Sequence, residues 1–478
     1  MIYAAFCAFA KRLLNDRRNI MVDCDKLHEE CGVFGIYSPS GAQVAKDIYY
    51  GLTALQHRGQ ESAGMAVSDT RGEMGNISMK KEMGLVSEVF SNEDIERLKG
   101  NIGVGHVRYS TTGGSNVSNA QPIAMNYIKG SLAVVHNGNI VNAEEIKREQ
   151  LYRGQAHYTT SDSEVLAYEI ISARVNSASI EEACMRASAR LRGGFAVIVM
   201  SPRKLVAIRD PYGIKPLILG KRDDTYIIAS ESAAISSVGG EVIRDIEPGE
   251  LVSVTSEGVN SDKSLCTGKR AHCIFEYIYF ARNDSVIDGV EVHASRINAG
   301  RALAQRDKVD ADIVAGVPDS GLAAAEGYAV ESGIPFRLIF HKNSYVGRSF
   351  IKPTDEERRA AVDMKLAVIK ETVKDKRIVL IDDSIVRGTT MRRLIGMLKG
   401  AGAKEVHVRI SSPPFLYPCY YGTDVHTAKQ LIASEHSYED IRQSIGADSL
   451  SYLRIEDFKT MVGDLPLCTA CFDNNYPV

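Results

Sequence analysis

The pattern of apolar and polar positions differs between the first and second halves of the chain. Up to about residue 265, short runs rich in Val, Ile and Phe alternate with stretches of helical period. The runs predict strands at 32–37, 132–135, 195–199 and 226–229, and helices are expected around 42–56, 161–174 and 179–191. Strands with clustered helices predict an α+β layered domain. The polar, turn-rich segment 247–269 favours a domain boundary near residue 265.

The second half of the chain, 266–478, follows a different order. An apolar strand at 312–317 leads into a tight loop at 318–321 and an Ala-rich helix at 322–330. A strand at 377–381, a polar loop, a helix at 390–398 and a strand at 405–410 follow. This order is a βαβ crossover, so we expect an α/β domain with a mainly parallel sheet. Ligands of such sheets bind beyond the carboxyl ends of the strands, where both loops lie.

Charge and composition exclude several classes of function. With 57 Lys+Arg against 60 Asp+Glu, the net charge of -3 gives no basic field for nucleic acid or a membrane surface. The apolar opening 1–10 has about half the ~20 residues of a membrane span. Its basic residues follow the apolar stretch, the wrong order for a secretory signal. We therefore expect a cytoplasmic protein whose nine cysteines form no disulfide framework.

An acidic pair follows the strand at 377–381. Asp382 and Asp383 at a strand end can reach a ribose diol or a hydrated Mg²⁺, and the amides of the next helix start can hold a phosphate near Gly388. An acidic pair alone is more often a solvated turn. The whole string 382–390, DDSIVRGTT, resembles the ribose-5-phosphate signature of type I phosphoribosyltransferases, and 317–321, VPDSG, resembles their pyrophosphate loop.

This resemblance assigns roles to the residues of both loops. It implies that Asp382, Asp383 and Ser320 bind the ribose and the Mg²⁺ assembly. The 5-phosphate would be held by Arg387, Gly388, Thr389 and Thr390. Between the loops, the segment 341–350 is rich in cations and glycine, and we interpret it as a mobile lid that brings Lys342 and Arg348 over pyrophosphate. Taken alone, both cations would be ordinary surface charges.

A cysteine opens the first predicted strand. A lone cysteine in that place is more often a core residue, but Cys31 has companions in four motifs. They are ALQHRGQESAG at 54–64, GHVRYST at 105–111, HNG at 136–138 and TSDSE at 160–164. In this order they resemble the motifs of class II (N-terminal nucleophile) glutamine amidotransferases. The resemblance implies that Cys31 is the first residue of the mature chain and that its own α-amine is the general base.

That chemistry requires the removal of residues 1–30. We expect cleavage of the Glu30–Cys31 bond by attack of the Cys31 thiol on the preceding carbonyl, leaving 31–265 as the glutaminase domain. Met21 begins a short leader that ends at Glu30, so translation from Met1 and from Met21 both stay open.

The same resemblance supplies the other roles at this site. Asn137 and Gly138 would form the oxyanion hole, Arg108 would bind the glutamine α-carboxylate and Asp162 its ammonium group. Arg58, also expected on the substrate side, would orient the Cys31 terminus more than contact glutamine. Asp162 also suits a helix start. We interpret the histidines of the motifs as hydrogen-bonded structural residues; these are His57, His106 and His136.

Four further cysteines form a candidate metal site. Cys468 and Cys471 are spaced to bind one metal centre, with Cys273 and Cys419 as candidate partners. Spacing alone leaves zinc, an iron–sulfur cluster and ordinary buried thiols open. From Cys31 onward, however, the chain resembles the Bacillus-like, iron–sulfur type of the glutamine phosphoribosylpyrophosphate amidotransferase family. That resemblance implies one structural [4Fe-4S] cluster on these four cysteines, a homotetramer, and feedback inhibition by purine nucleotides.

The implied reaction uses both halves of the chain. Glutamine would be hydrolysed at Cys31, and its ammonia would displace pyrophosphate from Mg²⁺-bound phosphoribosyl pyrophosphate, giving 5-phosphoribosylamine in the first step of purine synthesis. Sugar aminotransferases and asparagine synthetases share this kind of glutaminase but lack the Asp-Asp to Gly-Thr-Thr loop. A second alternative is a regulator that binds phosphoribosyl pyrophosphate without turnover. The complete set of Cys31 motifs and the lack of a basic helix argue against it.

Overall fold

The computed structural model describes residues 31–72, 76–109, 116–343, 366–423, 425 and 427–478. The predicted leader 1–30, Arg348 and most of the predicted lid lie outside these residues.

The first half of the described chain contains thirteen strands. They are β1 (Cys31–Tyr37), β2 (Ser62–Ser68), β3 (Ile77–Met83), β4 (Ile102–Arg108), β5 (Ile123–Tyr127), β6 (Gly130–Ile140), β7 (Gly193–Met200), β8 (Leu205–Arg209), β9 (Ile218–Arg222), β10 (Thr225–Ala229), β11 (Glu241–Asp245), β12 (Leu251–Thr255) and β13 (Gly258–Asp262). Its helices are Ala45–Ala54, Val86–Val89, Asn92–Arg97, Ala143–Tyr152, Asp162–Val175, Ile180–Ser188 and Ser232–Ser237, with a 3₁₀ turn at Val117–Asn119.

These strands form two antiparallel sheets. One has the order β11-β9-β10-β1-β4-β2-β3 and the other the order β13-β12-β8-β7-β6-β5. Side chains alternate between the two faces of each strand. Val33 and Val135 therefore point into the apolar layer between the sheets, while their neighbours Phe34 and Val134 pack on the outer faces. The helix Ala45–Ala54 covers one outer face, and Asp162–Val175 with Ile180–Ser188 covers the other, so the predicted α+β layered domain is confirmed as an αββα arrangement.

The second half is built on a parallel sheet. Its strands are β14 (His272–Cys273), β15 (Val286–Ile287), β16 (Val290–Glu291), β17 (Ile313–Gly316), β18 (Phe340–Lys342), β19 (Leu366–Val368), β20 (Arg377–Asp382), β21 (Glu405–Ile410), β22 (Ser449–Tyr452) and β23 (Leu467–Cys468). Its helices are Val292–Arg306, Gly321–Ser332, Lys370–Val373, Thr389–Gly400, Ile432–Glu435, Tyr438–Ile445, Phe458–Val462 and Ala470–Asp473, with a π-helical segment at Glu276–Phe280 and 3₁₀ turns at Ala428–Gln430 and Ile455–Asp457.

The sheet order β17-β20-β21-β22 confirms the predicted α/β fold, because each neighbouring pair in it is parallel. The helix Gly321–Ser332 packs on β17 and β20, and the helix Thr389–Gly400 connects β20 to β21. Both loops singled out from the sequence therefore lie at the carboxyl edge of adjacent strands.

The elements predicted from sequence periodicity are present in the structure, but they are fewer than half of those that the described chain contains. The strand expected at 405–410 has those bounds in β21, and the helix expected at 161–174 occupies Asp162–Val175. The helix expected around 42–56 is shorter, because it begins only at Ala45 and ends at Ala54. No helix within the described part of the chain combines the length and apolar composition needed to cross a membrane.

Candidate active sites and a four-cysteine cavity

Cys31 lies at one end of the first sheet beside three charged groups. In the ladder of β1 with β4 it pairs with Arg108. Burial raises the pKa of the Cys31 thiol to about 12, the Arg108 guanidinium acts in the opposite direction, and Asp162 and Glu61 raise it further. The structure thus brings together Cys31 and the two residues expected to bind glutamine. The Glu61 carboxylate lies 4.0 Å from the Arg108 guanidinium. Glu61 belongs to the motif at 54–64, but no role was predicted for it from the sequence.

The candidate oxyanion hole lies on β6, in the second sheet. The Asn137 side chain is fully buried, and neither its oxygen nor its nitrogen has a hydrogen-bond partner among the residues that the structure describes. A buried amide without partners costs about 1–3 kcal/mol, so its retention suits a group held for a ligand. Gly138 has φ of 128°, and a Cβ there would lie 2.0 Å from the Gly194 carbonyl oxygen. Only glycine fits this position.

Asp162 is the first residue of its helix. Ser161 is the N-cap, and its hydroxyl accepts a hydrogen bond from the Ser163 N–H at 3.3 Å, so the predicted helix start is confirmed. The Asp162 carboxylate accepts from the Ile140 N–H at 3.0 Å. Burial by itself would raise the pKa of Asp162, but His136 and backbone N–H groups bring it below its ordinary value. The carboxylate is therefore ionised at neutral pH, as an ammonium-binding group must be.

Each of the three motif histidines makes a hydrogen bond within the fold, as predicted. His106 Nε2 lies 3.0 Å from the His136 carbonyl oxygen, and burial lowers the pKa of His106 to about 3. His136 Nδ1 lies 3.3 Å from the Ser163 hydroxyl. His57 Nε2 lies 2.7 Å from the carboxylate of Glu231.

Arg58 is buried between two carboxylates. Its guanidinium binds Glu231 through Nε and Glu276 through both terminal nitrogens, with Nη1 3.2 Å from the Glu276 carboxylate. Burial alone would raise the pKa of Glu231, but Arg58 and His57 hold it well below its usual range. Glu276 belongs to the second half of the chain. Nothing in the sequence indicated these partners, which are separated from Arg58 by 173 and 218 positions.

The two loops of the second half meet at the sheet edge. The Ser320 hydroxyl donates to the Asp383 carboxylate, which also accepts from the Ser384 hydroxyl at 2.6 Å. The Asp382 carboxylate accepts from the Asp383 N–H at 3.0 Å. Both carboxylates are buried. The structure therefore brings together Ser320 and the acidic pair, as the sequence predicted.

The segment expected to bind the 5-phosphate begins at a glycine. Gly388 has φ of 81° and directly precedes the helix Thr389–Gly400, whose first turn carries Thr389 at the surface and Thr390 half-buried. The N-terminal turn of a helix favours an anion, because its amides and the helix dipole both attract negative charge. Arg387 is half-buried beside Gly388. Lys342, on β18, forms an ion pair with Asp319 of the loop 318–321, whereas Arg348 lies outside the described residues.

One cavity is lined by all four candidate metal ligands. Cys273 and Cys468 are paired in the short parallel ladder of β14 with β23, and the Tyr421 N–H donates to the Cys419 sulfur at 3.4 Å. The remaining lining is mostly apolar and includes Ile214, Phe275, Phe415, Tyr421 and Tyr476, with the buried Lys215. Burial raises the pKa of the Cys468 thiol to about 12 and holds the pKa of the Cys471 thiol well above its ordinary value, and the neighbouring cysteines act in the same direction. Within the described ranges, however, no three Cys, His, Asp or Glu side chains converge closely enough to hold a metal ion.

Fold and sites together define a class of protein: a class II glutamine amidotransferase domain joined to a phosphoribosyltransferase domain. Residues 106–237 match the glutamine amidotransferase domain family, and residues 290–412 match the phosphoribosyl transferase domain family. The chain is 45% identical over 466 residues to the amidophosphoribosyltransferase of Bacillus subtilis, covering 96% of each chain. It is also 45% identical over 462 residues to that of Methanocaldococcus jannaschii, covering 94% of this chain and 97% of its relative. The chain belongs to the amidophosphoribosyltransferase family.

Solved structures agree with this assignment. The glutamine phosphoribosylpyrophosphate amidotransferase of B. subtilis, complexed with ADP and GMP, superposes with a TM-score of 0.86 at 44% identity, over 94% of this chain and 97% of that one. A structure described as the allosteric regulatory enzyme of purine biosynthesis superposes with a TM-score of 0.87, also at 44% identity, over 94% and 96%. Glutamine-dependent amidotransfer to phosphoribosyl pyrophosphate in purine biosynthesis, the predicted function, is confirmed, and the regulator without turnover is not favoured.

Proposed function

We propose that the described residues divide the family's reaction between a glutaminase site at Cys31 and a transferase site at Asp382 and Asp383. The observation that carries the first assignment is the convergence of Arg108 and Asp162 on Cys31. A cation for an α-carboxylate and an anion for an ammonium group are what a free amino acid requires. In this proposal the Cys31 sulfur attacks the carboxamide of glutamine, ammonia leaves, and water releases glutamate from the thioester.

The nucleophile needs a base. Burial keeps the Cys31 thiol protonated at neutral pH, and a protonated thiol is a poor nucleophile. We propose that removal of residues 1–30 frees the α-amine of Cys31, which then takes the thiol proton. The hydrogen bonds of His57, His106 and His136 support this choice of base, because each holds one ring nitrogen against another group of the fold.

At the transferase site, Asp382, Asp383 and Ser320 would hold the ribose and Mg²⁺. Oxygen ligands at a strand end suit that ion, which neutralises the charge of the departing pyrophosphate when it is bound. Arg387, Gly388, Thr389 and Thr390 would bind the 5-phosphate, and Lys342 and Arg348 the pyrophosphate. The ion pair of Lys342 with Asp319 supports the placement of Lys342 at the pyrophosphate, because Asp319 lies on the loop proposed to bind pyrophosphate.

Ammonia must travel between the sites unprotonated. In bulk water at neutral pH nearly all of it would become ammonium, so the two halves must enclose its route. We propose a glutaminase domain at 31–265 and a transferase domain at 266–478. The last strand of the two antiparallel sheets, β13, ends at Asp262, which supports a boundary there. The buried contact of Arg58 with Glu276 supports a closed junction.

The four-cysteine cavity is proposed to hold a [4Fe-4S] cluster. The type and number of donors support it, because four thiols line one mostly apolar chamber. In the described structure the four sulfurs line this chamber without converging on a common point, so the cluster would draw them together. The cluster would stabilise the fold and take no part in the chemistry. The remaining proposals are a cytoplasmic location, a homotetramer and feedback inhibition by purine nucleotides. The last is supported by the ADP and GMP in the B. subtilis structure.

Coupled product measurement tests the division of the reaction. Glutamate and pyrophosphate release are followed with glutamine and phosphoribosyl pyrophosphate, with and without Mg²⁺. We expect equal amounts of the two products with Mg²⁺ and no pyrophosphate without it. Pyrophosphate release that does not depend on Mg²⁺ would contradict the proposed transferase site.

Asn137→Ala tests the oxyanion hole. Loss of one oxyanion donor should lower kcat for glutamine hydrolysis about 10²–10³-fold, with a smaller change in KM, because the hydrogen bond forms mainly in the transition state. Asn142→Ala is the matched control: this asparagine follows β6 and binds the backbone of Arg190 and Arg192. An unchanged kcat in Asn137→Ala would show that Asn137 does not stabilise the oxyanion.

Cys471→Ser tests the cluster. Protein purified without oxygen should be brown and contain iron, and Cys471→Ser should lose both the colour and part of the thermal stability. Cys266→Ser is the control, because Cys266 is partly exposed and lies outside the lining of the cavity. Iron content and the visible spectrum measure the outcome independently of activity. A colourless, active, zinc-containing protein would contradict the proposal.

A further inference from the structure

We infer that the second half of the chain holds the glutamine site in its working geometry through two positioning residues, Glu276 and Asn139. Glu276 belongs to the second half and binds Arg58 of the first. Asn139 belongs to the first half and binds the backbone of the second. The inference rests on the proposed roles of Cys31, Asn137 and Gly138.

Glu276 forms a buried ion pair with Arg58. Its carboxylate is 2% exposed and faces the Arg58 guanidinium, which is 1% exposed, with an oxygen on each terminal nitrogen. Such two-pronged pairs fix orientation as well as distance. If the carboxylate were neutralised, a buried guanidinium would lose half of its compensation and would shift or draw in water.

Any shift of Arg58 reaches Arg108. The residue after Arg58 is Gly59, and a Cβ there would lie 2.5 Å from the Arg108 nitrogen, so the loop already touches that backbone. The Glu61 N–H donates to the Arg108 carbonyl at 2.9 Å. Arg108 in turn is the ladder partner of Cys31. Movement at Glu276 would therefore displace the residue proposed to bind the glutamine carboxylate.

The other partner of Arg58 is also tied to the second half. The Glu231 carboxylate accepts from the Arg282 N–H at 2.9 Å and from the Ser285 hydroxyl at 2.6 Å. Arg58 is thus held on both sides by carboxylates anchored in the segment 276–285. This makes the loop at 56–61 a part of the junction and not only of the glutaminase domain.

Asn139 makes the corresponding contact on the oxyanion side. It follows Gly138 on β6, and its side-chain nitrogen donates to the Tyr420 carbonyl at 2.8 Å. Its ladder partner on β7 is Gly194, where a Cβ would lie 3.2 Å from the Cβ of Tyr421. The second half therefore packs directly on the strand pair that carries the proposed oxyanion hole.

Both contacts start beside the four-cysteine cavity. Glu276 follows Cys273 by three positions, and Phe275 between them lines the cavity. Tyr420 directly follows Cys419, and Tyr421 also lines the cavity. The walls of this cavity thus brace the glutamine site from the Arg108 side and from the Asn137 side.

Glu276→Gln and Asn139→Ala in the full chain test the inference. Loss of a charged hydrogen bond should lower kcat/KM for glutamine hydrolysis about tenfold or more in Glu276→Gln, and loss of a neutral one about threefold to tenfold in Asn139→Ala. We expect the first variant to act chiefly on KM, through Arg108, and the second chiefly on kcat, through the oxyanion hole. Phosphoribosylamine formation from added ammonia should stay within about twofold of wild type in both, because the transferase site is untouched. Glu276→Asp, which keeps the charge, should recover part of the loss.

The control is Glu250→Gln. Glu250 is a fully buried carboxylate that binds Arg244 with both oxygens, at 2.6 and 2.7 Å, and its other contacts are Ser261 and the Glu247 N–H. It should lose thermal stability without a change in glutamine kinetics. Unchanged glutamine kinetics in both test variants would overturn the inference. So would an equal fall in the glutamine- and ammonia-dependent rates, which would show a merely structural role.

Two further outcomes can be distinguished from failure of the inference itself. If Glu276→Gln does not fold, Asn139→Ala decides alone, and a wild-type kcat in it overturns the inference. If the wild-type protein releases no glutamate from glutamine, the proposed glutaminase site fails first, and the inference falls with it.

Discussion

A Cys31→Ala variant will lose glutamine hydrolysis by about 10⁴-fold or more, because removing the sulfur removes the thioester route altogether. It should still form 5-phosphoribosylamine from added ammonia at close to the wild-type rate. The reason is that the acidic loop at Asp382 and Asp383 is built on the parallel sheet, whereas Cys31 begins a strand of the first antiparallel sheet. Glutamate release from glutamine and pyrophosphate release with ammonia measure the two halves separately.

The mass of the same variant reports on processing. If the Cys31 sulfur cleaves the preceding peptide bond, Cys31→Ala should retain residues before position 31, whereas the active wild-type protein should begin at Cys31. Cys266→Ala, at a cysteine away from both sites, is the control for activity and for mass. An active wild-type protein that keeps Glu30 would rule out the α-amine as the base.

Asp382→Asn should produce the opposite division of effects. We expect phosphoribosylamine formation to fall about 10²–10³-fold with either nitrogen donor, because a carboxylate proposed to hold the ribose and Mg²⁺ loses its charge. Glutamine hydrolysis should change only a few-fold. The asparagine side chain keeps an oxygen for the Asp383 N–H, which the Asp382 carboxylate binds at 3.0 Å, so the loop should keep its shape.

The control for this variant lies at the other edge of the same sheet. Asp312 directly precedes β17, and its carboxylate binds Arg377 at the start of β20, at 3.0 Å. Asp312→Asn removes a carboxylate at the amino edge, away from the proposed ligand edge, and should leave both activities near wild type. If Asp382→Asn lowered glutamine hydrolysis as much as phosphoribosylamine formation, the division of labour between the halves would be wrong.

Local pattern was enough for some of the elements and for the two loops that follow β17 and β20. The strands β17 and β20 are short and largely apolar, and β21 alternates polar with apolar residues, so all three could be recognised without knowledge of their neighbours. Gly388 next to two threonines marked a helix start that the structure confirms. Strand order between elements close in sequence also followed, because βαβ units form parallel neighbours.

Contacts between distant segments could not be predicted in this way. Arg58 was expected at the Cys31 terminus, but the structure shows it held by Glu231 and Glu276, and its role toward substrate stays a prediction. The sequence around a carboxylate does not indicate which buried cation it will bind in the folded protein. The contact of Asn139 with the Tyr420 carbonyl was equally hidden, since any backbone carbonyl can accept such a hydrogen bond.

The sequence by itself determined the fold class of each half and the motifs in its loops, because strand periodicity and loop motifs are properties of neighbouring residues. The roles of the site residues follow from the resemblance of those motifs to known families and stay predictions. The tertiary structure alone decided how the two halves of the chain contact each other. It placed Ser320 on Asp383, enclosed four cysteines in one chamber and joined Glu276 to Arg58. These pairings depend on how whole sheets and helices pack, and packing is set by the shape of the complete core and not by any local stretch of chain.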